Sequence, residues 1–229
     1  MKIGGFQKFS LSDFPGRIAA IVFTQGCGFR CPYCHNPELV DPSRYAAAIP
    51  QEQVLDFMRS RRGRLQGVVI TGGEPTLHDD LPRFLAGIKE MGFAVKLDTN
   101  GSNPCLLDRI IAEHLADYIA MDLKAPLLSY SRVTGVRVKT SDIERSLQLV
   151  KGSGLPHELR TTYLESVLSV QDMREIARLA RGCERFVLQK YRATKALDPQ
   201  ILHEPSPGDA RIEKMRRLLE AAGLKVSVR

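Results

Sequence analysis

A chain of 229 residues, 43% apolar and 26% charged, can bury a core of its own without disulfide staples; a disordered segment or a membrane protein has a different composition. The formal net charge of +7 is compatible with an acidic partner. No stretch approaches the roughly 18 apolar residues of a membrane span, and Met1-Lys2-Ile3-Gly4-Gly5 lacks the apolar core of a secretory signal, so the expected compartment is the cytoplasm, with no membrane partner.

Taken in chain order, six β-rich runs recur, mostly separated by helical patterns: Arg17–Thr24, Gly67–Thr71, Ala94–Asp98, Tyr118–Leu123, Glu158–Tyr163 and Arg185–Gln189. Ile18-Ala19-Ala20-Ile21-Val22-Phe23 and Val68-Val69-Ile70 are continuously apolar, as strands buried on both faces are in a parallel sheet. Arg59-Ser60-Arg61-Arg62-Gly63-Arg64, the densest basic run, falls at a predicted helix end. Cations there complement the macrodipole, so it reads as solvated surface and not as a nucleic-acid site. Leu81, Phe84, Leu85, Ile88 and Met91 mark one buried helical face. Ile143, Leu147 and Val150 mark another, behind a capping-box pattern at Ser141 and Glu144. Met173, Ile176 and Leu179 form a third stripe, and Ile212, Met215, Leu218, Leu219 and Ala222 a fourth that stops at Gly223. Pro199–Gly208 reads as a surface loop, and no linker divides the chain, so residues 1–229 are expected to form a single domain. Strand and helix in alternation predict a parallel α/β architecture, either an open doubly wound sheet or a partial barrel. In both, chemistry gathers at the carboxyl ends of the strands. The residues there are Cys27, Gly72-Gly73-Glu74, Thr99-Asn100 and Lys124.

Three of the five cysteines fall in Cys27-Gly28-Phe29-Arg30-Cys31-Pro32-Tyr33-Cys34. Soft thiolates suit iron–sulfur clusters and zinc. A 4Fe–4S cluster usually takes four cysteines, and this loop supplies three with no fourth nearby, which would leave one iron open. Other readings remain on the residues alone. Cys31-Pro32-Tyr33-Cys34 has the form of a dithiol redox motif, Cys31 through His35 that of a haem attachment site, and the cysteines with His35 could hold zinc. Cys105 and Cys183, outside the motif, read as buried packing residues.

The cysteine spacing, the aromatic Tyr33 before the third cysteine and Gly72-Gly73-Glu74-Pro75, in this order after the first and second predicted strands, resemble the radical S-adenosylmethionine (SAM) superfamily. Cys34-His35-Asn36-Pro37, Leu97-Asp98-Thr99-Asn100-Gly101 and Met121-Asp122-Leu123-Lys124 are similar to its glycyl-radical-enzyme activating proteins. Phe9-Ser10-Leu11-Ser12-Asp13-Phe14-Pro15-Gly16 and Leu159-Arg160-Thr161-Thr162 resemble the branch that activates anaerobic ribonucleoside-triphosphate reductase. The resemblance implies a partial (β/α)6 barrel of the TIM-like kind, a 4Fe–4S cluster and SAM as cofactors, and reductive cleavage of SAM. It further implies a glycyl radical enzyme as protein substrate and a flavodoxin- or ferredoxin-type electron donor. Activation of a pyruvate formate-lyase type enzyme, or action on a small molecule, are the alternatives within the superfamily; a thiol redox or zinc module is the alternative outside it.

The same resemblance assigns roles. Cys27, Cys31 and Cys34 would ligate three irons. Gly72 and Gly73 would let the backbone approach the amino-acid end of SAM, and Glu74 would accept from its ammonium or orient the loop. Asp98, Asp122 and Thr99 would help to hold a monovalent cation, and Lys124 would pair with the SAM carboxylate. Tyr33 and His35 would border the adenine, with a local structural hydrogen bond as the alternative for His35. Arg160 faces either the barrel interior or a structural partner. Some pyruvate formate-lyase activating proteins carry a histidine after the sixth strand. Here that run is Leu188-Gln189-Lys190-Tyr191-Arg192, with Gln189 the candidate in its place.

Overall fold

The computed structural model describes residues 1–229. Its strands are β1 (Ile3–Ser10), β2 (Ala19–Thr24), β3 (Gly67–Gly72), β4 (Ala94–Thr99), β5 (Tyr118–Asp122), β6 (His157–Tyr163), β7 (Arg185–Lys190) and β8 (Val226–Val228). They form one sheet in sequence order, with β1 antiparallel to β2 and every later pair parallel. A doubly wound sheet reverses its strand order part-way. This sheet does not, so its crossover helices stack on one face and the other face is left concave. The partial barrel is thereby selected over the open doubly wound sheet. β1 and β8 do not pair, and the barrel stays open.

All six expected strands are present, with ends shifted by a residue or two; the first begins at Ala19, not Arg17. Two strands were not expected. β1 carries Gly4-Gly5 and three exposed residues in a row, so it lacks an apolar signature. β8 is three residues long, too short to show a period.

The convex face packs against the principal helices: α2 (Gln51–Ser60), α3 (Leu81–Glu90), α4 (Pro104–Ala112), α6 (Thr140–Gly152), α7 (Val170–Leu179) and α8 (Asp209–Ala221). Leu85, Ile88, Leu147, Ile176 and Leu219 are buried there, each worth about 1.5–3 kcal/mol relative to exposure. Two short helices, α1 (Pro37–Val40) and α5 (Tyr130–Thr134), flank the upper rim. The capping box expected at Ser141 is absent: α6 starts at Thr140, its cap is Lys139, and Ser141 lies inside the helix. A capping box forms instead at Ser169–Asp172 on α7, where Ser169 Oγ accepts from the Asp172 amide at 3.1 Å and the Asp172 carboxylate accepts from the Ser169 amide at 2.9 Å. Within Pro199–Gly208 a 3-10 turn at Pro199–His203 buries Ile201. Cys105 is exposed, contrary to its expected packing role, and Cys183 is half-buried.

The concave face changes character along its height. At the bottom, Ala19, Gly67, Ala94 and Tyr118 leave room for Phe14; a side-chain carbon on Gly67 would lie 2.9 Å from the Phe14 ring. The Ser10–Gly16 segment thus places an aromatic plug under the barrel, with Ser10 Oγ accepting from the Ser12 and Asp13 amides. Higher up, β4 and β5 present Lys96, Asp98 and Asp122, and β6 presents Glu158 and Arg160. The interior is apolar at its floor and charged at its carboxyl end.

Candidate active site

A cavity of about 480 Å³ opens at the carboxyl ends of the strands. Cys27, Cys31, Tyr33, Cys34 and His35 border it from the loop after β2, and Gly72, Gly73 and Glu74 from the end of β3. Asp98, Thr99, Asp122, Lys124, Arg160 and Gln189 complete the set singled out in the sequence, so every one of those residues lines a single space.

The cysteine loop is held from several sides. The Gly26 amide donates to Leu39 O at 2.7 Å, the Arg30 amide to Thr134 O at 2.8 Å, and the Asp198 amide to Pro32 O at 3.0 Å. Gly73 is glycine because a side-chain carbon there would sit 2.1 Å from the Gly26 carbonyl oxygen. Gly72 has φ +115°, and a side-chain carbon there would sit 2.4 Å from the Thr24 backbone nitrogen. The close approach these glycines permit is that of the protein's own β2 and cysteine loop. Burial raises the Cys27 thiol to about 12 and the Cys31 thiol to about 11, and pushes the Cys34 thiol up as well. Their protons leave readily only to a metal, which stabilises the thiolate directly. Cys27 Sγ accepts from the Phe29 amide at 3.4 Å and from Asn100 Nδ2 at 3.7 Å.

Glu74 is fully buried and ties two loops together. Its Oε1 accepts from the Thr76 amide (3.0 Å), Thr76 Oγ1 (2.6 Å) and Thr99 Oγ1 (2.7 Å), and its Oε2 from the Asn100 amide (2.6 Å). Burial pushes its carboxyl up, and these donors oppose that shift. Of its two expected roles, this is the loop-orienting one.

Opposite the cysteines runs a chain of five charges from three neighbouring strands. Lys96 Nζ donates to Asp98 Oδ1; Arg160 Nη1 donates to Asp98 Oδ2 at 2.9 Å and its Nε to Asp122 Oδ1 at 2.7 Å; Lys124 Nζ donates to Asp122 Oδ2 at 2.9 Å. Lys96 is 1% exposed, and Asp98 and Arg160 are each 12% exposed. Burial alone would raise both carboxyls, but Arg160, with Lys96 at Asp98 and Lys124 at Asp122, holds them below the usual carboxylate range. Three cations against two carboxylates leave one positive charge over, facing the cavity. All four carboxylate oxygens already carry a cationic partner, and Thr99 Oγ1 is spent between Glu74 and the Gly101 amide. The chain's own ammonium and guanidinium groups thus sit at the oxygens expected to help hold a monovalent cation. Lys124 keeps donors free for an anionic ligand, since an ammonium has three.

His35 stacks on Tyr191 at 5.5 Å and 16°, and its Nε2 lies 3.1 Å from Arg192 O. Burial lowers its pKa; the contact to Arg192 O is the structural hydrogen bond, one of its two expected roles, and the ring also lines the cavity. Gln189 Oε1 accepts from Thr162 Oγ1 at 3.4 Å. Lys96 and Asn100 act in the site without having been assigned a role in it from the sequence. Lys96 was visible as a charge inside the apolar run Ala94-Val95-Lys96-Leu97, two residues before Asp98 and so on its face. Arg229, also at the cavity, carries no local signal.

The donor set suits a cluster: three soft thiols on one wall, with neither Cys105 nor Cys183 at the cavity to close a fourth corner. The Tyr33 hydroxyl is buried without any hydrogen-bond partner, a penalty of about 1–3 kcal/mol unless an acceptor arrives with a ligand.

The chain is 29% identical over 224 residues to a putative glycyl-radical enzyme activating enzyme of Methanocaldococcus jannaschii, covering 94% of this chain and 90% of the relative. It is 28% identical to the pyruvate formate-lyase-activating enzyme of Clostridium pasteurianum, over 83% of this chain and 82% of that one. Among solved structures, Streptococcus suis SuiB bound to S-adenosylmethionine superposes with a TM-score of 0.68 at 18% identity, covering 91% of this chain and 49% of SuiB. A domain of pyruvate-formate lyase-activating enzyme from Bacteroides vulgatus gives 0.59 at 20% identity, covering 72% of this chain and 99% of that domain. Both likenesses establish the shared fold. The family model for the radical SAM superfamily matches residues 21–181, from β2 into the segment after α7. The chain belongs to that superfamily, whose enzymes work with a 4Fe–4S cluster and SAM.

Proposed function

We propose that this chain activates a glycyl radical enzyme, and that its partner is an anaerobic ribonucleoside-triphosphate reductase. The observation that carries the activating role is the likeness, across 94% of the chain, to a relative named for that activity. The narrower choice of partner rests on Phe9–Gly16 and Leu159–Thr162. It is supported by the absence of a histidine at Gln189, which separates this chain from some activators of pyruvate formate-lyase. A flavodoxin- or ferredoxin-type donor in the cytoplasm is the matching electron source.

When bound, the cluster and SAM supply a one-electron reduction that yields a hydrogen-abstracting radical. Cys27, Cys31 and Cys34 would hold three irons, leaving the fourth for SAM. Lys124, at the free end of the charge chain, would meet the SAM carboxylate, while Glu74 keeps the Gly72-Gly73 and Thr99-Asn100 loops in register around it. Asp98 and Asp122 position Arg160 and Lys124. Tyr33 and His35 border the space left for the adenine.

The test is anaerobic incubation of the iron-loaded chain with SAM, a reductant and the candidate reductase, read by electron paramagnetic resonance. The expected result is a glycyl radical on the reductase and none on pyruvate formate-lyase. A radical on pyruvate formate-lyase alone would replace the partner; deoxyadenosine formation with no protein radical would overturn the activating role.

A further inference from the structure

Cys27 is the cysteine of the loop whose sulfur meets a side chain from a distant part of the chain. Its Sγ accepts from the Phe29 amide at 3.4 Å, a contact within the loop, and from Asn100 Nδ2 at 3.7 Å, a contact from the loop after β4. Asn100 is 5% exposed and lines the cavity. Its surroundings fix which way the carboxamide points. The Asn100 amide donates to Glu74 Oε2 at 2.6 Å, Asn100 Oδ1 accepts from the Ser102 amide at 2.9 Å, and the Gly101 amide between them donates to Thr99 Oγ1 at 3.1 Å. A backbone N–H can only donate, so the carboxamide oxygen must face Ser102, and the NH2 group is the half that faces Cys27.

The turn at Asn100 needs only the oxygen, and an aspartate carboxylate would accept from Ser102 in the same way. What a carboxylate lacks is the donor, and the donor is the part of Asn100 directed at sulfur. The other two asparagines of the chain give their NH2 groups to backbone oxygens, Asn36 to Gly72 O at 3.3 Å and Asn103 to Thr76 O at 2.8 Å. A thiol sulfur is a weak acceptor, in keeping with the length of the Cys27 contact. A thiolate is charged and accepts more strongly, and Cys27 becomes one when metal replaces its proton. Metal binding therefore strengthens a hydrogen bond whose direction the two loops have already set.

We propose that Asn100 is a positioning residue for the cluster, its carboxamide holding the Cys27 corner and raising the reduction potential by donating to the ligand sulfur. This rests on the reading that Cys27, Cys31 and Cys34 hold the cluster. The reduced cluster is the more negative state, so a donor on one of its ligand sulfurs stabilises it over the oxidised state. Glu74 takes part through the Asn100 amide, which ties the loop after β3 to the same corner.

The experiment is a redox titration of the reconstituted full chain, following the reduced-cluster signal by electron paramagnetic resonance, on wild type, Asn100→Leu and Asn103→Ala. Iron is counted first: a wild type that holds no 4Fe–4S cluster overturns the parent reading, and this one with it, before any potential is measured. Asn100→Leu keeps the branched shape of the side chain and removes the donor. With iron intact it should lower the reduced-to-oxidised ratio at fixed poise about fivefold, which for a one-electron couple at ~59 mV per tenfold is ~41 mV. Asn103→Ala loosens the same loop by removing the contact to Thr76 O and the cap of α4, but touches no cysteine, and should leave the ratio within twofold. A ratio within twofold of wild type in iron-replete Asn100→Leu, or an equal fall in both variants, overturns the proposal. Should Asn100→Leu fail to fold or load, the wild type decides. Grown with asparagine isotopically labelled at the carboxamide nitrogen alone, its reduced cluster should show a coupling to the labelled nitrogen in pulsed electron paramagnetic resonance. No coupling, or one that disappears in Asn36→Ser, refutes the inference.

Discussion

The two walls of the cavity reach the same place by different means. Cys27, Cys31 and Cys34 come from one loop, so their convergence follows from chain-local spacing and needs only that the loop be held at Gly26, Arg30 and Pro32. Lys96, Asp98, Asp122, Lys124 and Arg160 come from β4, β5 and β6 and their ends, so their convergence needs the barrel itself. The register places Asp122 beside Arg160 and Asp98 beside Ala120, whose small side chain lets the guanidinium reach across β5. One wall can lose its chemistry while the fold persists. On the other, chemistry and fold are the same set of contacts.

The sharpest way to separate them is to remove one thiol. Cys31→Ala is expected to abolish the cluster, with iron falling from about four per chain to near zero, because two thiolates cannot retain a 4Fe–4S cube. Thermal stability of the metal-free chain should change far less, by ~1 kcal/mol, typical of a small buried substitution. Iron analysis and a melt on the same sample check both. Retention of a full cluster in this variant would remove Cys31 from the ligand set.

The charge chain should behave in the opposite sense. Arg160→Met strips two buried carboxylates of the cation they share, a loss of about 3–5 kcal/mol for a broken buried ion pair. At ~2–4 °C per kcal/mol for a chain of this length, the melting temperature should drop by roughly 10 °C. The pH dependence carries the sign. Wild-type Asp98 and Asp122 have folded pKa values below their unfolded ones, so their contribution is present above about pH 4 and is lost as pH falls below it. In the variant burial is less opposed and the folded pKa values rise, so acidification relieves the penalty. The gap between the two melting temperatures should be widest near neutrality and narrow toward pH 4. A gap independent of pH would mean that Arg160 contributes packing alone.

This division also explains what could be read from the chain alone. The cysteine loop and the glycines after β3 were legible because their chemistry is encoded in spacing over a few residues. Asp98 and Lys124 were legible as residues at strand ends, but what they hold was not. The partners of the Asp98 and Asp122 carboxylates are Lys96, Arg160 and Lys124, and a one-dimensional motif cannot show that a guanidinium two strands away has reached the Asp98 oxygens. The six parallel strands were visible as runs of β-branched and apolar residues. β1 and β8 were not, because an edge strand need bury only one face, and these two are respectively interrupted by Gly4-Gly5 and only three residues long. The helix start at Ser141 failed for a related reason: a capping pattern states that a cap is possible, while the packing of Ile143, Leu147 and Val150 decides where the helix enters.

Lys124 tests the point at which the two walls meet. It is the terminal member of the charge chain, 18% exposed, and Asp122 keeps Arg160 when it is lost. Lys124→Gln should therefore cost less stability than Arg160→Met, about 1 kcal/mol, the net worth of a typical hydrogen bond. Its effect on ligand should be larger than on the fold. Removing this positive charge should weaken SAM binding about tenfold, or ~1.4 kcal/mol, with iron content unchanged. Added salt should narrow that difference, because a partly exposed ammonium is partly screened. Lys124→Arg keeps the charge, but its planar, longer fork cannot reproduce a point charge held by Asp122, so it should recover only part of the affinity. Equilibrium dialysis of labelled SAM against the iron-loaded proteins measures all three. If Gln at 124 binds SAM within twofold of wild type, the surplus charge does not face the ligand, and the charge chain is a structural brace for β4–β6 alone.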